Sequence, residues 1–247
     1  MSNDKAHKNK VLDYKKLFAD LNISNELKVE EDLGSGYVRL KISEAERRQA
    51  LQDIKNVEDI ILECLRNCRD AKSKNIYIAT KKIAEKKRII YFIDDGNGIP
   101  AKYHKLIFQS RVTSKLDDGL KDKYGFHGRG MALFSIKLNV DDIRIVYSDL
   151  NRGTCIFIVA DLEKIPEKKD QSMMPRIVRN ENGIFLEGGV NNINKVIIDF
   201  AIDNPGINIY TGSPTQIIAT MNKNVKKPVF KKILNADDFK NFINTND

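Results

Sequence analysis

One segment constrains the fold of this chain more than any other. Between Val57 and Lys72, residues Val57, Ile60, Ile61, Leu62, Cys64, Leu65 and Cys68 recur at helical spacing and cover a broad apolar face, while Glu63, Asn67 and Asp70 run along another. The spacing predicts an amphipathic helix that must bury one side and present the other. Two runs rich in β-branched and aromatic residues follow it closely. Ile76-Tyr77-Ile78-Ala79-Thr80 and Arg88 to Asp94 read as strands, so the middle of the chain is α/β in character.

The flanking segments are read in the same way. Residues 1–25 form a polar arm with a short helix expected over Val11 to Leu21. Leu27 to Ile42, centred on Leu33-Gly34-Ser35-Gly36-Tyr37-Val38, suits a short strand and turn. Ser43 followed by Glu46 is a capping-box signal, opening a helix that runs to about Ile54. Thr113 to Tyr124 is polar and short of apolar anchors, the pattern of a mobile loop. A second helix is expected from near Gly130 to Lys137. Asp142 to Tyr147 and Thr154 to Val159 then form a hairpin closed through Asn151-Arg152-Gly153. Beyond Asp161, the proline-bearing stretch from Lys164 to Arg176 reads as a connector. Lys195 to Phe200 and Asn208 to Tyr210 read as strands and Pro214 to Met221 as a short helix, together a small ββα addition.

Composition sets the outer limits. With 247 residues, 41% of them apolar and 31% charged, the chain can bury one large core and keep a well-solvated surface. No apolar run has the length needed to cross a bilayer, and Met1 to Lys16 has no apolar stretch of the signal-peptide kind; the expectation is a cytoplasmic protein with no membrane partner. Cys64, Cys68 and Cys155 are too few for a disulfide framework and read as small buried hydrophobes. The net charge of +8 comes partly from lysines near both ends, Lys5 to Lys16 and Lys223 to Lys232. Such clusters attract nucleic acid or serve as solvated surface, and charge alone leaves both open.

Three groups of residues carry chemistry. Glu63, Asn67 and Asp70 fall at i, i+4 and i+7 and project from one side of the helix. There the amide oxygen of Asn67 could ligate Mg²⁺ and Glu63 could orient or deprotonate a water, while a solvated polar stripe is the alternative. Strand Ile89 to Ile93 runs into Asp94-Asp95-Gly96-Asn97-Gly98-Ile99-Pro100, where Asp94 could accept a hydrogen bond from an exocyclic amino group such as that of adenine. Its glycines would let backbone approach a flat ring, although an ordinary glycine turn has the same wording. Gly125-Phe126-His127-Gly128-Arg129-Gly130 precedes the apolar helix beginning at Met131. Glycines ahead of a helix leave amides free to hold phosphate oxygens, a tendency the helix dipole reinforces. No GKS or GKT follows, so this is not a Walker-type loop. His127 could contact phosphate or pack, and His7 and His104 show no partners.

Taken in order, these segments resemble the superfamily of gyrase, Hsp90, histidine kinases and MutL (GHKL), closest in wording to MutL and gyrase. Glu63 to Ala71 is similar to its N box in the ExxxNxxDA form, and Asp94 to Ile99 to its first glycine box. Arg111-Val112-Thr113-Ser114-Lys115 resembles the TSK lid segment, Gly125 to Gly130 the second glycine box, and Gly153-Thr154 the last box. The resemblance covers about residues 60 to 160. It implies a two-layer α/β sandwich, the Bergerat fold, with a mixed sheet. The organisation expected is a polar arm over 1–25, an ATP-binding domain over 26–165 and a small α/β extension over 166–247.

The resemblance also implies roles. Glu63 would be the general base and Asn67 the Mg²⁺ ligand. Asp94 would bind the adenine amino group with support from Thr154. Asp70, Ala71, Gly96, Gly98 and Ile99 would line the nucleotide site. Thr113, Ser114 and Lys115 would belong to a lid, and the backbone from Gly125 through Phe126, His127, Gly128, Arg129, Gly130 and Met131 would hold phosphates. Gyrase and MutL add a lysine from a following transducer domain, which this sequence does not match, so a partner is expected to supply that cation unless Lys115 or Arg129 does. The expected function is an Mg-ATP-gated switch with weak ATPase activity, acting as a homodimer or with a protein partner. Alternatives are a protein kinase of histidine-kinase or anti-sigma type, and a non-catalytic ATP-binding module that assembles on DNA or protein.

Overall fold

The computed structural model describes residues 29–114, 121–122, 125–126, 130–168, 171, 173–181, 183–187 and 191–224. The expected helix over 11–21 and most of the terminal lysines lie outside those residues. Among the described residues the chain opens with a hairpin, β1 (Val29–Gly34) and β2 (Tyr37–Leu40), followed by α1 (Glu44–Asp53) and α2 (Val57–Asp70). β3 (Asn75–Ile83) and β4 (Lys87–Asp94) come next. After the short strands β5 (Val112–Thr113), β6 (Lys121–Asp122) and β7 (Gly125–Phe126), α3 (Ala132–Asn139) leads into β8 (Asp142–Ser148) and β9 (Thr154–Asp161). A hairpin of β10 (Arg176–Asn180) and β11 (Gly183–Glu187), then α4 (Ile193–Asp203), β12 (Asn208–Gly212) and α5 (Pro214–Asn224) complete the order.

Both early helices start where the local chemistry dictates. Ser43 accepts from the Glu46 amide while the Glu46 carboxylate accepts from the Ser43 amide, closing a capping box on α1. Asn56 and Asp59 form the equivalent box on α2. The central sheet has the strand order β12-β3-β4-β9-β8, mixed because β12 runs parallel to β3 while the other pairs are antiparallel. Side chains alternate across it. Ile76, Ile78, Ile90, Phe92, Ile156 and Ile158 share a cluster with Ile60, Ile61, Cys64 and Leu65 of α2 and with Ile197 and Phe200 of α4. The helical layer is thus seated on one face by the apolar stripe that the sequence displayed. Tyr77, Ala79, Tyr91, Ile93, Cys155 and Phe157 point the other way, where Ile217 and Met221 of α5 meet them.

The expected strand over Lys195 to Phe200 is corrected: these residues belong to α4. Val196, Ile197 and Ile198 favour a strand locally, but Ile193, Ile197 and Phe200 are buried at i, i+4 and i+7, and Asn192 caps the helix by accepting from the Lys195 amide at 2.9 Å. Burying that stripe outweighs β propensity, which is strongly context-dependent. The β10–β11 hairpin was not foreseen. The stretch after residue 165 also supplies β12 to the edge of the central sheet, so it shares the sheet of the preceding segments. All three cysteines are buried and outside any disulfide, and burial pushes the Cys64 and Cys155 thiols up, out of the reactive range. No helix among the described residues is long and apolar enough to cross a membrane.

Candidate nucleotide site

A cleft of about 730 Å³ opens between α1, α2, the ends of β4 and β9, and the start of α3. Its volume lies within the range of ordinary small-molecule sites. It gathers residues far apart in sequence: Glu63, Asn67, Asp70 and Ala71 from α2, Asp94, Gly98 and Ile99 after β4, Thr113 and Ser114, Gly130 and Met131, and Thr154. Of the expected site residues, Lys115, His127, Gly128 and Arg129 lie outside the described residues. Gly125 and Phe126 form β7, paired with β6, and only their backbone is described.

Asp94 anchors the inner wall. It ends β4 opposite Thr154 of β9. Its Oδ1 accepts from Ser73 Oγ at 2.9 Å and from the Gly96 amide at 2.7 Å, and Cys68 Sγ lies 3.8 Å from Oδ2. Burial pushes its pKa up to about 6, a rise that the bonds from Gly96 and Ser73 hold in check. A carboxylate so held can accept from a ligand's amino group at low desolvation cost, because its own desolvation is already met by folding.

The turn after Asp94 is locked to the β8–β9 turn. The Asn151 amide donates to Asn97 O at 2.6 Å and the Gly153 amide to Gly96 O at 2.9 Å, while the Asn97 amide donates to Ala71 O at 2.8 Å. A Cβ on Gly98 would stand 1.8 Å from Asp149 O, and one on Gly153 would stand 1.9 Å from Asp94 O; both have positive φ. Close approach of backbone to backbone therefore fixes these two glycines. The methyl position of Gly96 likewise faces Ser73 Oγ and Ala71 O, and Gly96 itself sits behind Asp94. Asp95 stands outside the cleft and accepts from the Lys74 and Asn75 amides at 2.8 and 2.9 Å.

Several participants escaped the reading of the sequence. Ser148 Oγ lies 3.0 Å from Thr154 Oγ1, donates to Gly153 O and accepts from the Ile99 amide at 2.7 Å. It thereby ties the turn, the strand and Thr154 together. His104 Nε2 donates to Ile99 O at 2.9 Å, giving that histidine a structural partner. Ser73 and Ser148 have no motif of their own; the one available hint was that Ser148 must sit opposite Thr154 once the hairpin register is set. Arg66 and Arg111 also line the cleft, 9% and 2% exposed, with ion pairs to Glu63 and Glu46. The first turn of α3 lines the cleft and has no side-chain cap from Met131, so the positive end of the helix dipole lies at the cleft.

Residues 52–164 match the family described as histidine kinase-, DNA gyrase B- and HSP90-like ATPase. This stretch is a GHKL ATPase domain. Over 108 residues the chain is 39% identical to the DNA mismatch repair protein MutL of Thermodesulfovibrio yellowstonii, covering 40% of this chain and 18% of that protein. The chain therefore corresponds to under a fifth of that relative's length. A crystal structure of the N-terminal domain of a DNA repair protein matches at 19% identity with a TM-score of 0.33, over 50% of this chain and 41% of that one, a likeness too distant to carry weight. The family expected from the motifs and its mixed-sheet α/β architecture both hold, and ATP binding goes with a GHKL domain.

Proposed function

We propose that the chain binds Mg-ATP in this cleft, hydrolyses it slowly and uses it to switch conformation. The observation that carries the reading is the convergence of Asp94, the polar edge of α2 and the uncapped start of α3 on one cleft. In this reading Asp94, backed by Thr154 and Ser148, accepts from the adenine amino group. Phe92, Ile99 and Ile156 offer apolar surface to the ring. The amides from Gly125 to Met131 hold phosphate oxygens, Asp70 and Ala71 line the site, and Thr113, Ser114 and Lys115 close over it. Glu63 orients and deprotonates the attacking water.

The donors available fit Mg²⁺ brought in with the nucleotide. No group of three or more His, Cys, Asp or Glu capable of holding a metal occurs among the described residues. A hard ion that retains waters and phosphate oxygens needs only one or two protein oxygens, and the Asn67 amide oxygen, with Glu63 and Asp70 nearby, meets that need. When bound, the ion supplies charge compensation for the phosphates. Phosphate release from Mg-ATP by purified protein, against a Glu63→Ala control, tests the reading. Equal release from both removes hydrolysis, and absence of binding heat with ATP removes the site.

A role on DNA is the second reading, favoured by the likeness to MutL and the charge of +8. It predicts duplex binding that weakens steeply with salt and changes with ATP. Absence of binding at moderate salt, with and without ATP, removes it.

A further inference from the structure

Arg66 has no place in the motif roles above, yet it lies among them. It falls three residues after Glu63 and immediately before Asn67, so α2 brings the three side chains to one side. Its Nη1 donates to Glu63 Oε1. A helix-surface arginine ordinarily extends into water and its ion pairs contribute little. Arg66 instead is nine-tenths buried, with 11% of its side chain exposed against 23% for Glu63, and both line the cleft. In such a setting the attraction is screened far less than at a surface. The other cleft cation close to α1, Arg111, is engaged by Glu46, and Asp70 is engaged by Arg69.

We propose that Arg66 is a positioning residue for Glu63, an inference that rests on Glu63 being the general base. Holding the carboxylate by Oε1 fixes this side chain at the cleft wall, where it can orient a water at the terminal phosphate. A carboxylate on a long side chain without this anchor samples many rotamers, few of them productive, and small misplacements are costly to a positioned reaction. Because Arg66 acts through Glu63, its loss slows turnover without loosening adenine recognition at Asp94.

The experiment is a mutant cycle on the full chain with Mg-ATP, reading kcat, KM and binding heat for Arg66→Gln, Arg66→Lys, Glu63→Gln and the double variant Arg66→Gln/Glu63→Gln. The expected result is a kcat lowered roughly 10- to 100-fold in Arg66→Gln, KM for ATP within about threefold, partial recovery in Arg66→Lys, and a double variant no slower than Glu63→Gln. An unchanged or raised kcat in Arg66→Gln overturns the proposal, as does an equal further loss in the Glu63→Gln background. If Arg66→Gln does not fold, Arg66→Lys with and without Glu63→Gln decides by the same criterion. Full turnover in Glu63→Gln, or binding heat without turnover in the unmodified chain, removes the general-base reading itself. A slow Glu63→Gln beside a fast Arg66→Gln removes Arg66 alone.

Discussion

Replacing Asp94 by asparagine should strengthen the fold while weakening the site. The carboxylate is desolvated at the end of β4, which pushes its pKa from 3.8 to about 6. Its ionised form therefore costs about 3 kcal/mol at neutral pH relative to the unfolded chain. The sign follows from the raised value: the group's contribution to stability is greatest below pH 3.8 and is lost as pH rises through 6. Asparagine is almost isosteric, and its Oδ1 can still accept from Ser73 Oγ and the Gly96 amide. It must bury an NH₂ group beside Cys68, which returns part of the gain. The net expectation is roughly 1–2 kcal/mol of added stability at pH 7.5, read from urea unfolding midpoints at constant slope. Binding moves the other way. The amide would meet the adenine amino group donor to donor, and losing a hydrogen bond to a charged acceptor costs about 1.5–3 kcal/mol, or roughly 10- to 150-fold in affinity by calorimetry. A fall in the unfolding midpoint would show that the carboxylate's hydrogen bonds outweigh its desolvation. ATP affinity within threefold of the unmodified chain would take Asp94 out of base recognition.

The same carboxylate predicts that ATP affinity falls by roughly tenfold between pH 7 and pH 5 as Asp94 takes up a proton; the Asp94→Asn variant should lack this component, and parallel pH profiles for the two proteins would refute it. Gly98→Ala should cost more than about 3 kcal/mol or prevent folding, because its methyl would collide with the Asp149 carbonyl in a left-handed backbone. Gly206→Ala, with nothing within 4 Å, should stay within about 0.5 kcal/mol of the unmodified chain when both glycine variants are unfolded in urea. Glu58 is 1% exposed and accepts from the Lys168 amide at 3.1 and 3.2 Å and from Gln171 Nε2 at 2.6 Å. Glu58→Ala should therefore lose about 2–4 kcal/mol in urea unfolding, and an unchanged midpoint would show that the bonds to residues 168–171 contribute nothing.

What could be read in advance had local, periodic causes. Val57 to Cys68 announces its buried face by spacing, and Ser43 with Glu46 announces a helix start by its side-chain chemistry. The cleft was legible for a different reason: its parts are short segments whose wording and order match a known family. What escaped notice depends on register or competition between tendencies. Ser148 matters because it ends a strand opposite Thr154, a relation fixed only when β8 and β9 pair. Lys195 to Phe200 holds β-branched residues on a helical period, and the core decides between them. Arg66 looks like one more charge on a charged helix until its burial is seen.

The parallel pairing of β12 (Asn208–Gly212) with β3 (Asn75–Ile83) carries a practical consequence. A fragment trimmed at residue 165 would retain every motif of the ATPase family, yet it would leave the β12-facing amides and carbonyls of Asn75 to Ala79 as a bare hydrogen-bonding rim and strip Ile197 and Phe200 from the hydrophobic interior. Such rims recruit other chains, so the shortened protein would be expected to clump during expression, and inactivity of a truncated preparation would say little about the chemistry of the whole.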